Sequence, residues 1–139
     1  MNLSSLITDN IAELLVKIVR FTQTRQKILS RNINSVHSFG FVPRDLEVDE
    51  FSELLKDAIE EHIRRQRLVL RDTENIKFGV SGSFEVKPVV DEYAKELLEE
   101  NRDAYLELQI SKLLENSLNQ RVAAELLRQK QQGMISIFE

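Results

Sequence analysis

Between residues 1 and 39, apolar side chains fall at Ile7, Ile11, Leu14, Ile18, Phe21 and Ile28, in steps of 4, 3, 4, 3 and 7. Leu15, Val19, Leu29 and Ile33 widen this stripe. Steps that alternate between three and four keep one face of an α-helix apolar, so the spacing predicts a helix over about 9 to 34. Thr8 or Asp9 can cap its N-terminus through a side-chain oxygen. Arg25 and Asn32 are the polar residues on its seam. A second run, Phe51, Leu54, Leu55, Ala58, Ile59, His62 and Ile63, predicts an amphipathic helix over about 49 to 67. Beyond it the period shortens. Ile76, Phe78, Val80, Phe84 and Val86 alternate with polar residues around Gly79 and Gly82, which predicts a short hairpin over about 75 to 87.

The last segment, 89–132, has 44 residues without Gly or Pro and is rich in Leu, Glu, Ala, Lys and Arg. It predicts one long helix, starting near Asp91 and stopped by Gly133. About 38 helical residues reach on the order of 57 Å, whereas a compact globule of this length is about 37 Å across. Its apolar positions, among them Tyr93, Leu97, Ala104, Leu108, Leu114, Leu118 and Val122, therefore need partners first on the N-terminal helix and then on other chains. The predicted fold is mainly α: long N- and C-terminal helices pairing as a coiled coil, with a short middle helix and a small extended β segment. The chain divides into an N-terminal helix (1–36), a middle segment (37–90), and a C-terminal helix with tail (91–139).

Charge adds an asymmetry. Residues 1–45 carry six Lys/Arg against three Asp/Glu, and residues 46–139 carry thirteen against twenty, within a net charge of −4. Two helices of such opposite character attract one another, within a molecule or between neighbours. The 139-residue chain has no Cys, which removes disulfides, thiolate metal sites and a thiol nucleophile. Its two histidines, His37 and His62, are too few for a histidine-rich metal centre, and His62 lacks the Glu-x-x-His spacing of di-iron bundles. Gly79-Val-Ser-Gly82-Ser lacks the Lys-Ser/Thr ending of a phosphate loop. Paired carboxylates such as Glu60–Glu61 and Glu99–Glu100 are adjacent and diverge on a helix. The Arg64, Arg65, Arg67 and Arg71 cluster is hemmed by Glu60, Glu61, Asp72 and Glu74, which reads as a solvated or subunit-facing patch rather than a nucleic-acid site. No enzyme, cofactor, metal or nucleic-acid partner is expected. The N-terminus shows no basic region followed by an unbroken apolar one, so no cleaved signal is expected, and no apolar run is long enough to span a bilayer.

The junction after the first helix runs Arg31-Asn32-Ile33-Asn34-Ser35-Val36-His37-Ser38-Phe39-Gly40-Phe41-Val42-Pro43-Arg44-Asp45. It resembles the N-terminal signature of bacterial flagellar rod and hook proteins, Asn-Ile-Ala-Asn-x-x-Thr-Pro-Gly-Tyr, and most closely the proximal-rod type. Asn32, Ile33, Gly40, the aromatic Phe41, Arg44 and Asp45 match. Asn34, Ser35, His37, Ser38 and Phe39 stand where the family has Ala, Asn, Asp, Thr and Pro. Glu100-Asn101, then Tyr105 and Leu108, are similar to the family's C-terminal coiled-coil segment.

The resemblance implies a non-enzymatic structural subunit whose terminal helices pack in the inner layer of a helical tubular filament. Its partners would be copies of itself, other flagellar rod subunits, and the flagellar export apparatus or its adaptor at the rod base. Its location would be the periplasmic rod of the basal body, reached by export without a cleaved signal. Interface residues expected on the N-terminal helix are Ile11, Leu14, Ile18, Phe21, Arg25 and Ile28. Those at the junction are Asn32, Ile33, Gly40, Phe41, Arg44 and Asp45. The C-terminal helix would contribute Leu97, Asn101, Tyr105, Leu108, Leu118 and Val122. A self-contained helical-bundle adaptor or regulator needs the same periodicity and is the competing reading.

Overall fold

The computed structural model describes residues 3–80 and 83–133, with side chains from residue 10 onward. The chain is mainly helical, and its long N- and C-terminal helices pack together in a coiled-coil-like pair. Helix α1 spans Leu3–Asn34, so Thr8 and Asp9 lie inside it and do not cap its start. Strand β1 (Arg44–Asp45) follows the junction, then α2 (Val48–Arg65), then β2 (Ile76–Phe78), β3 (Phe84–Val86) and β4 (Val89–Val90). Helices α3 (Glu92–Glu100) and α4 (Arg102–Gln131) complete the chain. The side chain of Ile7, Gly82 and the tail 134–139 lie outside the described residues.

The hydrophobic core sits where α1, α2 and the β2–β3 hairpin meet. Buried Phe21, Leu46, Phe51, Leu54 and Ile76 form its centre, with Ile18, Ile28, Val48 and Leu55 packed around them. Phe21 and Phe51 stack with ring centroids 4.0 Å apart, and Phe84 leans on Phe51 at 5.9 Å. The hairpin pairs Ile76 with Val86 and Phe78 with Phe84, which puts alternate apolar residues on the face toward the helices. On α2 the buried line is Phe51, Leu54, Ala58 and His62, while Ile59 and Ile63 of the expected stripe are exposed. Gln66 ends the helix in the left-handed region, its N–H donating to the His62 carbonyl at 2.9 Å.

The expected single helix over 91–132 is broken at Asn101. Asp91 Oδ1 accepts from the Ala94 N–H and caps α3. Asn101 then ends α3 in an extended conformation, φ −152° and ψ 96°, while its Oδ1 accepts from the Ala104 N–H at 3.1 Å and starts α4. A short amide that caps a new helix competes with continuation of the old one, and this is the reason a run without Gly or Pro still breaks. Helix α3 folds back on α4 as a hairpin, closed at its far end by Lys112 Nζ donating to Asp91 Oδ2 at 2.6 Å. Helix α4 alone is 30 residues, about 45 Å. It packs along α1, and Gly133 follows it with φ +67°.

Candidate assembly surface

The junction is built around the side-chain amide of Asn32, which is 1% exposed at the end of α1. Its Nδ2 donates to the Arg44 carbonyl at 2.7 Å and to Gln109 Oε1 at 2.9 Å, and its Oδ1 accepts from the Arg44 N–H. Both amide hydrogens and the oxygen are used. Asp could not donate to two carbonyl-type oxygens, so the amide is required by chemistry. The Asn32 carbonyl in turn accepts from Tyr105 Oη at 2.8 Å. Burial, with a smaller contribution from the nearby Asp91 charge, pushes the Tyr105 phenol up to about 12, so it stays a donor at any physiological pH. Between Asn32 and Arg44 the chain reverses through Gly40, whose φ of +73° an L side chain resists although open space surrounds it.

Beside this amide lies an ionic node. Arg25 reaches from α1 and grips Asp45 with Nε at 2.8 Å and Nη2 at 3.0 Å, while Lys112 from α4 donates to Asp45 Oδ2 at 3.1 Å. The Leu46 N–H adds a fourth bond to Oδ1 at 2.7 Å. Burial would raise the Asp45 carboxyl, but the Arg25 guanidinium and the Lys112 ammonium more than offset it and hold the group below the usual carboxylate range. Burial likewise opposes the Lys112 charge, and its bonds to Asp91 and Asp45 leave it raised. The β1–β4 pair, Arg44 opposite Val90 and Asp45 opposite Val89, locks the segment before α3 against the junction.

Arg25, Asn32, Arg44, Asp45 and Tyr105, expected from sequence as interface residues, are thus brought together inside one chain. Arg44 takes part through its backbone, and its side chain is exposed. Leu14 and Phe21 are buried, and Ile11, Ile18, Ile28, Ile33, Phe41, Leu97 and Leu108 are half-buried. Gly40 and Asn101 are exposed.

The seam between α1 and α4 differs from the apolar one expected. The buried residues of α4 are Tyr105, Gln109, Asn116 and Ala123, and Asn116 Nδ2 donates to the Thr22 carbonyl at 2.7 Å. Among the described residues, Gln109 Nε2 and Gln120 Oε1 are buried without a hydrogen-bond partner. One row of apolar residues faces outward: Leu114, Leu118 and Val122 are 67%, 60% and 52% exposed, flanked by exposed Ile110 and Leu126. Leu118 and Val122 are therefore more than half exposed rather than buried in the seam. The ladder has a physical consequence: burying these five side chains would be worth on the order of 5 kcal/mol. Its C-terminal half borders a groove of about 440 Å³ between α1, α2 and α4, floored by Leu15, Ile18, Phe51 and Leu55.

Sequence reasoning missed Gln109, Lys112 and Asn116. Their signal was present, since Tyr105, Gln109, Lys112 and Asn116 recur at steps of 4, 3 and 4, the same period that was read only in apolar residues. Among the described residues no group of three His, Cys, Asp or Glu is placed to hold a metal ion, and no helix is long and apolar enough to cross a membrane. Comparisons of the chain with protein-family models, with curated proteins and with solved structures return no match.

Proposed function

We propose that this chain is a non-enzymatic structural subunit of the bacterial flagellar basal-body rod, of the proximal type, assembling through its terminal helices into a tubular filament. The observation that carries the reading is the orientation of α4. It buries Tyr105, Gln109, Asn116 and Ala123 and leaves the row from Ile110 to Leu126 exposed, which is the arrangement a helix needs if that row belongs to a neighbour. The signature residues Asn32 and Asp45 add support, because their amide and carboxylate make bonds that depend on side-chain chemistry. In this reading the partners are further copies, other rod subunits and the export apparatus at the rod base, and the destination is the periplasmic part of the basal body. Contacts that do not close on themselves generate filaments.

Deleting the gene in its host and imaging basal bodies by electron microscopy tests the reading. Rods are expected to be missing above the export apparatus, and intact rods with normal motility would remove it. One observation favours a self-contained adaptor instead: α1 and α4 already pair within the chain through Asn32, Gln109, Tyr105 and Asn116. Amide exchange in the dilute monomer separates the two. An adaptor protects both helices to their ends, whereas a rod subunit gains protection of its terminal turns on assembly.

A further inference from the structure

The opposite charges of the two ends of the chain are not spent on each other. Among the described residues, the exposed cations Lys27 and Arg31 of α1 and Arg44 of β1 form no ion pair. Elsewhere on α1, Lys17 pairs with Glu13 and Arg25 with Asp45. On α3 and the start of α4, Glu92, Glu96, Glu99, Glu100, Asp103 and Glu107 are all exposed and also form no ion pair among the described residues. On α2, by contrast, the half-buried Glu61 is held by Arg65 and Arg67, and near the end of α4 the exposed Glu125 is held by Arg128. Attraction between the two ends is therefore available to a second molecule.

The shapes match as well as the signs. The three cations rim a pocket of about 450 Å³ whose apolar floor includes Ile28, Phe41 and Pro88. On α3, Tyr93 is 65% exposed and shares a helix face with Glu96 and Glu100, three and seven residues on. An aromatic ring flanked by carboxylates is the counterpart of an apolar floor ringed by cations, because the ring fills the floor and can also face a guanidinium.

We propose that the Tyr93, Glu96 and Glu100 face of α3 in one copy docks into the pocket rimmed by Lys27, Arg31 and Arg44 in a second copy. The occupant is another copy because this one chain carries both halves of the contact, unpaired. Pocket and knob are different surfaces, so the contact is head-to-tail and repeats from copy to copy. The proposal rests on the assembly reading above and deepens it by naming which surfaces meet.

The test uses two charge reversals. Lys27→Glu with Arg31→Glu makes a copy acidic at both surfaces, and Glu96→Lys with Glu100→Lys makes a copy basic at both. All four positions are exposed, and circular dichroism checks that each variant folds. In sedimentation velocity at about 50 mM salt, wild type is expected to self-associate and to weaken at about 300 mM. Each variant alone should associate at least about tenfold more weakly, and an equimolar mixture of the two should recover association. Tyr93→Ser should weaken wild-type association about tenfold at either salt concentration.

A wild type that stays monomeric at low salt overturns the proposal, as it would if the true occupant were an acidic segment of another protein. Failure of the mixture to associate also overturns it. Wild-type association that survives both reversals overturns this contact while leaving assembly through the α4 ladder standing. Intact rods in the gene deletion remove the rod reading without altering the self-association measured here.

Discussion

Replacing Asp45 with Ala removes the acceptor from the guanidinium that the fold buries most deeply. Arg25 is 6% exposed and spends two of its donors on this carboxylate. Lys112 keeps Asp91 as a partner, so its loss is small, whereas Arg25 is left as a buried cation with no acceptor. Breaking one side of such a pair costs about 3–5 kcal/mol, and we expect about 4 kcal/mol here. That is a large part of the roughly 5–15 kcal/mol that holds a domain together. In urea unfolding followed at 222 nm, with a slope of about 2 kcal/mol per molar, the midpoint should fall by about 2 M.

A double variant, Arg25→Met with Asp45→Leu, should recover at least half of that loss, because it removes the stranded charge along with its partner. If Asp45→Ala costs under about 1 kcal/mol, the node is solvated and the argument fails. If the double variant is as unstable as the single one, the penalty does not come from the guanidinium. The pH dependence supplies a second arm. With its folded pKa held down by Arg25 and Lys112, Asp45 contributes stability that is complete above its unfolded value of about 3.9 and lost as pH falls through the lower folded value. Wild type should therefore lose more stability than Asp45→Ala on acidification below about pH 4.

Four further outcomes follow from the geometry. Asn32→Asp puts an acceptor against the Arg44 carbonyl and Gln109 Oε1, and thermal unfolding should register a loss of about 3 kcal/mol; a loss under 1 would show that the amide is not needed. Asn101→Ala removes the cap of α4 and the competitor that ends α3, costing about 1 kcal/mol, and spin-label distances between positions 95 and 110 should lengthen as part of the population straightens. Leu118→Asp, on the exposed ladder, should leave monomer stability within about 0.5 kcal/mol of wild type and still block rod incorporation. Leu14→Asp, by contrast, buries a charge at a site 6% exposed and should lower soluble yield, so it cannot by itself report on assembly.

The elements whose periodicity was strong were legible in the sequence. Helix α1 ends at Asn34 as expected, α2 lies within two residues of the expected span, and the hairpin of Ile76–Phe78 with Phe84–Val86 falls inside the expected 75 to 87. The break at Asn101 was not legible, because Leu, Glu and Ala run through it at helical spacing and only a capping interaction with Ala104 decides the outcome. The direction in which α4 faces was also missed. Counting apolar positions predicts an apolar seam, but α1 presents the Asn32 amide and carbonyl and the Thr22 carbonyl to α4, where Gln109, Tyr105 and Asn116 bond them. Matching two helices is a property of the pair, which neither stripe read alone contains.

That polar seam also fixes how far one helix can slide along the other. A seam of leucines offers nearly equivalent packings each time the pair shifts by a repeat, so its alignment is loosely set. Here the contacts are individually addressed: Tyr105 to the Asn32 carbonyl, Gln109 to the Asn32 amide, Lys112 to Asp45, Asn116 to the Thr22 carbonyl. A slip of one turn, about 5.4 Å, breaks all four together. The helix pair thus behaves like a notched rule with a single stop, and the surfaces it carries on its outer side are delivered to any neighbour at one fixed height.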